Sequence, residues 1–186
     1  MCAKNEKNMK CKYHVDDKTT TRLLENVLAC YLDQPYHRLL REYVVVNVVL
    51  EDGRIEILLT PRYSANLLSL LPCEHVYTMG LHVASIHRRD LRLHLSLGQL
   101  IEHVITRSYI IVREKPLRKL LYGRQVFVSE DEYIEYVPPP REECKRVAVL
   151  DENRRFAAWG VIRQASGGKL LIKPLVDVGW YLRSGV

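Results

Sequence analysis

Histidine is the side chain that most often binds metals in proteins, and the sequence contains seven of them. Four lie close together along the chain: His75, His82, His87 and His94. Their spacings of 7, 5 and 7 residues are odd, whereas side chains on one face of a strand are separated by even numbers. The helical motif H-E-x-x-H is also missing. We therefore expect no metal site and no cofactor.

Motifs for catalysis are missing as well. The sequence lacks the nucleophile elbow G-x-S-x-G and the dinucleotide fingerprint G-x-G-x-x-G. The segment "SGGK" at residues 166–169 looks like the end of a phosphate-binding loop, but such a loop needs Ser or Thr next and then a helix. Leu170 follows instead and begins a strand-like run, which favours a hairpin turn. We expect a protein that is not an enzyme and has no small-molecule substrate.

Cysteine usage and the first residues bear on the compartment. The five cysteines are widely spaced and form no C-x-x-C pair, so we expect free or buried thiols rather than metal ligands. The start, "MCAKNEKNMKCK", is positively charged but is not followed by an apolar segment. Such a start predicts an intracellular, cytoplasmic protein, nucleolar in a eukaryote. The sequence contains no run of eighteen apolar residues, so it predicts no membrane-spanning helix.

The charge balance points to a polyanionic partner. The net charge is +6, which favours nucleic-acid binding without proving it. Residues 1–107 carry 14 basic and 12 acidic side chains, a net of +2, whereas residues 108–186 carry 14 and 10, a net of +4. The shorter C-terminal part therefore holds most of the positive excess.

Basic side chains in that part form candidate contacts for the phosphates of a polyanion. Phosphate binding needs cations distributed along a surface. The main candidates surround the last predicted hairpin and are Arg163, Lys169 and Lys173. Secondary candidates flank a short predicted helix and are Arg118, Lys119 and Arg124. Beside them, Tyr122 could stack on a base, although a packed position at the barrel edge is the favoured interpretation.

The first part of the chain predicts a small α/β domain. Residues 1–18 are polar and lysine-rich, which predicts a mobile tail. Apolar residues at helical spacing follow, with a threonine as the predicted cap. Two β-branched runs then flank Asp52-Gly53 and predict a hairpin. Thr60-Pro61 predicts the start of a helix. Strands near residues 75–87 and 91–96 follow, and then a helix capped by Ser96, so the domain spans residues 19–107.

The second part, residues 108–186, predicts a compact β-barrel. A strand is followed by the short helix "KPLRKLL", which Gly123 ends because glycine adopts a left-handed conformation at no steric cost. The acidic segment "SEDEYIEYVPPPREE" predicts an exposed loop because its prolines cannot support a strand ladder. Three further strands follow, and their short length and frequent turns are typical of a barrel. Asp177 is the predicted cap of a closing helical turn.

These segments resemble a known family of RNA-binding proteins. The unit "YIIVREKPLRKLLYGRQVFV" resembles the start of a PUA domain, and "RFAAWGVIRQ" is similar to the strand of that domain with a central glycine, here Gly160. "LVDVGWYLRSG" resembles the C-terminal signature of the PUA-containing factors for large-ribosomal-subunit biogenesis, and "LRLHLSLGQLIEHV" resembles their upstream segment. The resemblance covers about residues 55–183 and is of the archaeal type.

The resemblance implies both a fold and a function. It implies an α+β protein in which a small α/β pre-PUA domain precedes a PUA-type β-barrel. It also implies a non-enzymatic factor in pre-rRNA processing that binds single-stranded U-rich or A/U-rich RNA. The partners that it implies are rRNA or its precursors and the exosome or other assembly factors. The family contacts match the segment "IRQASGGKLLIK", which contains Arg163, Lys169 and Lys173.

Three other functions stay open on the sequence. An RNA-modifying enzyme with a PUA domain would need a catalytic motif, and residues 1–107 contain none that we recognise. A translation-initiation protein could share the same two-domain layout. A protein-interaction scaffold would use the basic residues only for solubility.

Overall fold

A computed structural model of the chain describes residues 12–33, 36–76, 79–88, 90–180 and 183. The α-helices are α1 (Lys18–Leu28), α2 (Tyr36–Arg41), α3 (Cys73–Val76), α4 (Leu95–Ile101) and α5 (Glu114–Leu121). Short 3₁₀ helices span Arg62–Leu70, Glu102–Val104 and Ser166–Gly168. None of the described helices has the length and apolar character needed to cross a membrane.

The strands of the described residues form two sheets. Those of the first sheet are β1 (Lys12–Val15), β2 (Tyr43–Val49), β3 (Ile55–Pro61), β4 (Leu81–His87) and β5 (Asp90–Leu93). Those of the second are β6 (Tyr109–Val112), β7 (Val126–Val128), β8 (Tyr133–Val137), β9 (Val147–Leu150), β10 (Phe156–Gln164) and β11 (Leu170–Asp177). The combination of separate helices and mainly antiparallel sheets is α+β, as the sequence predicts.

The first sheet follows the chain order β1-β2-β3-β4-β5, and each pair is antiparallel. The predicted hairpin at its centre is confirmed, since β2 pairs with β3 and Gly53 has a φ of 77° in the turn. The middle residues of both strands are buried on both faces. A β-branched run such as "YVVVNVV" suits this position because its side chains pack on either side of the sheet.

The second sheet has the order β7-β11-β10-β9-β6-β8. Only the β6–β9 pair is parallel among these neighbours. The β10–β11 ladder shifts register between Trp159 and Gly160, and the β10–β9 ladder shifts between Phe156 and Ala158. Such bulges bend a strand and increase its twist, which allows the sheet to curl.

The predicted tail over residues 1–18 is wrong for its last residues. Strand β1 pairs with Val46–Val49 of β2, and Tyr13 donates a hydrogen bond from its hydroxyl to the carbonyl oxygen of Leu68 at 2.8 Å. A strand of four mostly exposed residues carries no clear apolar alternation, so only its pairing with β2 reveals it. Residues 1–11 lie outside the described part of the chain. The predicted domain boundaries, 19–107 and 108–186, stay predictions.

Several predicted helix starts are also wrong. Asp17, not a threonine, caps α1, because its Oδ2 accepts a hydrogen bond from the backbone N–H of Thr20 at 2.9 Å. Pro61 is the last residue of β3, and the segment after it is a 3₁₀ helix rather than an α-helix. His94 precedes α4 in place of Ser96, whose hydroxyl instead donates to the carbonyl oxygen of His82.

The prediction that the whole acidic segment "SEDEYIEYVPPPREE" is a loop is also wrong. Residues 133–137 form β8, which pairs with β6 at the edge of the second sheet. An edge strand tolerates acidic, exposed side chains because its outer side faces solvent. The three prolines at 138–140 come directly after the strand, where they interrupt no ladder.

Trp159 on β10 lies at the junction of the two sheets and is fully buried. Its indole N–H donates a hydrogen bond to the carbonyl oxygen of His94 at 2.9 Å. The rings of Tyr31 and Phe156 pack against it with centroid separations of 4.8 and 4.7 Å. Phe156 in turn leaves no room for a Cβ on Gly98 of α4. One apolar core therefore contains side chains from both sheets.

A disulfide also joins the two parts, which corrects the expectation of free or buried thiols. Cys30, two residues after α1, is bonded to Cys144, which lies in the segment before β9. Both residues are buried. Their separation of 114 positions hides the pairing from the sequence. Close to the bridge, Ser108 donates a hydrogen bond to the carbonyl oxygen of Cys30 at 2.7 Å.

Replacing Cys30 and Cys144 together by alanine should lower the free energy of unfolding by about 4 kcal/mol, because a bridge across so long a loop restricts the unfolded chain. Chemical denaturation of the wild type and the double variant measures the difference. Peptide mapping without reductant should find the two cysteines in one crosslinked pair. Alkylation of both cysteines in the unreduced wild-type protein would contradict the bridge.

Candidate nucleic-acid interface

Helix α5 ends as the sequence predicts. Gly123 has a φ of 73°, its N–H donates to the carbonyl oxygen of Leu120 at 2.8 Å, and the N–H of Arg124 donates to that of Lys119 at 3.2 Å. This pair of hydrogen bonds is the Schellman motif, which satisfies carbonyl groups that the helix leaves free. The chain then reverses, so that β7 begins three residues after the glycine.

The C-terminal signature holds that helix end in place. Arg183 donates hydrogen bonds to both carboxylate oxygens of the buried Asp177, at 3.0 and 2.9 Å, and also to the carbonyl oxygen of Leu121. The bond to Asp177 raises the pKa of Arg183 above its ordinary value. At Gly179, a Cβ would overlap the carbonyl oxygen of Leu121. Asp177 is therefore a partner for Arg183, and its predicted role as a helix cap stays a prediction.

Pairing between β7 and β11 brings the two predicted basic groups together. The ladder aligns Val126 with Ile172 and Val128 with Leu170. Because the strands are antiparallel, residues that precede β7 lie beside residues that follow Ile172. Arg124 and Lys173 are consequently at the same end of this pair. The sequence shows these residues almost fifty positions apart, and the sheet makes them neighbours.

The outer face of β7, β11 and β10 carries the main candidates. Val126, Val128 and Ile172 point into the second core, so Phe127 and Lys173, the alternate residues, point outward. The register places Leu171 between Arg163 on β10 and Phe127 on β7. Arg163 and Lys173 are exposed, and so is 55% of Phe127. We call Arg163, Phe127 and Lys173, together with Lys169 directly before β11, the outer basic face.

The secondary candidates line a separate shallow depression of about 250 Å³. Its lining residues are Arg118, Lys119, Tyr122 and Arg124. Tyr122 is 70% exposed, so the favoured interpretation as a packed edge residue is wrong. Arg118 forms an ion pair with Glu114 one turn earlier, and exposed pairs of this kind are weak.

Most basic side chains of the outer basic face are available to bind phosphate. Within the described part of the chain, Arg163, Lys169 and Lys173 form no salt bridge. Lys169 does lie near a carboxylate: the pKa of Asp131 is lowered, mainly by a hydrogen bond from Ser129 and in part by the charge of Lys169. A phosphate group could therefore bind Arg163 and Lys173 without displacing an internal partner.

Other basic residues have structural roles and are less available to bind phosphate. Arg154 packs over the ring of Tyr109, with 4.9 Å from its guanidinium carbon to the ring centroid, and donates to the carbonyl oxygen of Ile105 at 3.2 Å. Arg154 therefore packs against β6 and the segment before it, and its role is structural. Phe127, by contrast, was missed as a candidate, because its exposure between two buried valines depends on the pairing of β7 with β11.

Comparisons with known proteins agree with this architecture. Residues 108–186 match the family model described as UPF0113 PUA domain. The second part has the PUA fold. A UPF0113 protein from Aeropyrum pernix is 30% identical over 110 residues, which are 59% of this chain and 59% of that protein. The aligned region thus spans less than two thirds of that relative's length.

Solved structures resemble most of the chain. A conserved PUA domain protein from Thermoplasma acidophilum superposes with a TM-score of 0.52 at 13% identity, and the match covers 90% of this chain and 96% of that one. A PUA domain from Aeropyrum pernix gives a TM-score of 0.48 at 13% identity, over 94% and 92% of the two chains. The first of these confirms the predicted α+β class with a PUA-type barrel. PUA domains generally bind RNA.

Replacing Arg163, Lys169 and Lys173 together by alanine should weaken binding to single-stranded RNA and reduce the dependence of log K on log salt by about 2, since each phosphate contact contributes about 0.7 to that slope. Fluorescence anisotropy at several salt concentrations measures both quantities.

A matched control removes the same charge elsewhere. Lys12, Lys18 and Arg22 are exposed on β1 and α1, and their triple alanine variant should bind RNA almost as the wild type does. Equal losses in the two variants would mean that net charge, and not the outer basic face, determines binding.

Proposed function

We propose that the protein is a non-enzymatic RNA-binding factor in large-ribosomal-subunit biogenesis and pre-rRNA processing. Its outer basic face binds single-stranded U-rich or A/U-rich RNA, and the protein acts in the cytoplasm, or in the nucleolus of a eukaryote. The observation that supports this proposal best is the row Arg163, Leu171 and Phe127, with Lys173 beside it, on a PUA-type sheet. Cations for phosphates and an exposed ring for a base are the two elements of single-strand recognition.

The geometry suits single strands better than a duplex. Adjacent β-strands are about 4.8 Å apart, so the side chains across β10, β11 and β7 form a row. A flexible single strand of RNA can lie along such a row. Stacking on an aromatic ring also requires an unpaired base. The depression with Tyr122 includes Arg124, which lies at the same end of the β7–β11 pair as Lys173, so it would extend the path toward α5.

The ribosomal role rests on resemblance rather than on the geometry. The C-terminal signature and the upstream segment resemble large-subunit biogenesis factors, and exosome or assembly-factor contacts would follow from that role. A translation-initiation protein with the same layout is the main alternative.

Crosslinking in the native cell, followed by sequencing of the bound RNA, tests the role directly. We expect crosslinks in precursor and mature RNA of the large subunit, and co-sedimentation of the protein with large-subunit precursors. Co-sedimentation with the small subunit instead would support the initiation alternative. Altered nucleosides in rRNA or tRNA incubated with the protein would contradict the non-enzymatic role.

Substituting Phe127 by alanine should reduce RNA affinity by about 1–3 kcal/mol, because stacking of one base on an aromatic ring contributes this much. The salt slope should stay unchanged, since no charge is removed. Tyr63, which is 89% exposed in the first part, provides the control: its alanine variant should bind as tightly as the wild type. Unchanged affinity in the Phe127 variant would exclude stacking at this position.

A further inference from the structure

Glu56 of β3 is a carboxylate buried in the first sheet. Only 3% of its surface is exposed, and its Oε2 accepts no hydrogen bond within the described part of the chain. Its Oε1 lies 3.7 Å from Nε of Arg54, whose side chain is 46% exposed. Burying a charged oxygen without a partner is costly. The site therefore favours an additional positive charge close to Oε2.

Two histidines approach this oxygen from the neighbouring strands. His94 follows β5, and its Nε2 lies 3.9 Å from Oε2 of Glu56. His82 is on β4, and its ring centroid is 6.4 Å from that of His94. One possible ligand atom from each of the three residues lies within 4.8 Å of the other two. The spacing rule used in the sequence analysis concerns one strand, whereas His82 is on β4 and His94 directly follows β5, so the rule does not apply to this pair.

The surroundings fix the orientation of His94. Its carbonyl oxygen accepts the indole N–H of Trp159, and its backbone N–H donates to the carbonyl oxygen of Val83 at 3.0 Å. Its Nε2 lies 3.1 Å from the hydroxyl of Ser85. These contacts hold the His94 side chain beside Glu56.

We propose that Glu56, His82 and His94 form a binding site for a divalent transition-metal ion, with Zn²⁺ as the best-suited metal. Two imidazoles and one carboxylate favour Zn²⁺ and its neighbours over Mg²⁺ or Ca²⁺, which prefer oxygen ligands alone. Around Zn²⁺ at about 2.0–2.2 Å, tetrahedral ligands are about 3.4 Å apart. The ligand atoms, which lie within 4.8 Å of one another, need to approach by about 1 Å to reach this separation, and the metal would replace the hydrogen bond between Nε2 of His94 and the Ser85 hydroxyl.

The remaining coordination position would be open. Glu56 and His94 line a cleft of about 880 Å³ between the first sheet and β11, together with Arg92, Arg146 and Trp180. Three protein ligands plus one accessible position are the arrangement in which zinc binds water or an exogenous ligand. This site lies on the first sheet, and neither its residues nor its test depends on the RNA-binding proposal.

The experiment measures metal binding to the full-length protein without an affinity tag. After treatment with EDTA and blocking of free thiols, the protein is titrated with Zn²⁺ by calorimetry and with Co²⁺ by visible absorption. We expect one ion per chain, Co²⁺ bands typical of tetrahedral ligands, and a rise in Tm on adding Zn²⁺. Affinity should fall at least tenfold in Glu56→Gln, His82→Ala and His94→Ala.

A surface pair supplies the matched control. Nε2 of His103 lies 3.4 Å from Oε1 of Glu102, so His103→Ala removes a histidine beside a carboxylate outside the site. Its Zn²⁺ affinity should equal that of the wild type. The proposal is overturned if the wild type binds no Zn²⁺, or if a folded Glu56→Gln variant, verified by circular dichroism, retains wild-type affinity.

Discussion

The structure depends most on the burial of one indole ring. Trp159 occupies the junction of the two sheets, where its apolar surface meets Tyr31 and Phe156 and its single polar group reaches the carbonyl oxygen of His94. A buried tryptophan needs such an acceptor, because an unpaired N–H would be costly there. The requirement fixes the position of β10 relative to the end of β5.

That fixed position connects two regions with different chemistry. On one side, His94 is held beside Glu56 and His82. On the other side, β10 carries Arg163 to the outer basic face, and the bulge beside Trp159 bends the strand between them. Gly160 fits this bend closely, since a Cβ there would lie 3.2 Å from the carbonyl oxygen of Lys173. The core thus positions both sites, and Trp159 itself also lines the cleft beside Glu56 and His94.

Local patterns predicted part of this arrangement and non-local pairing determined the rest. The β2–β3 hairpin, the end of α5 at Gly123 and the last three strands depend on neighbouring residues, and the sequence predicted them. Strands β1 and β8, the Cys30–Cys144 bridge and the approach of His82 to His94 depend on residues that meet only in the folded chain. The outer basic face was predicted only in part. Arg163, Lys169 and Lys173 were candidates from the sequence, whereas Phe127 was recognised only from the β7–β11 register.

The disulfide bears on where such a protein can function. Cytosolic disulfides are uncommon in most organisms but frequent in intracellular proteins of hyperthermophilic archaea and bacteria. An intracellular setting and a buried bridge between the two parts are compatible in those organisms.

The contact between Arg183 and Leu121 joins positions 62 residues apart. During synthesis, helix α5 emerges from the ribosome long before the arginine that holds its end. A helix of eight residues is too short to persist alone, so until the later strands are made α5 lacks both its packing partners in the second core and the contact from Arg183. The depression beside α5 therefore takes its final form late in synthesis, when the last contact to the helix end has been added.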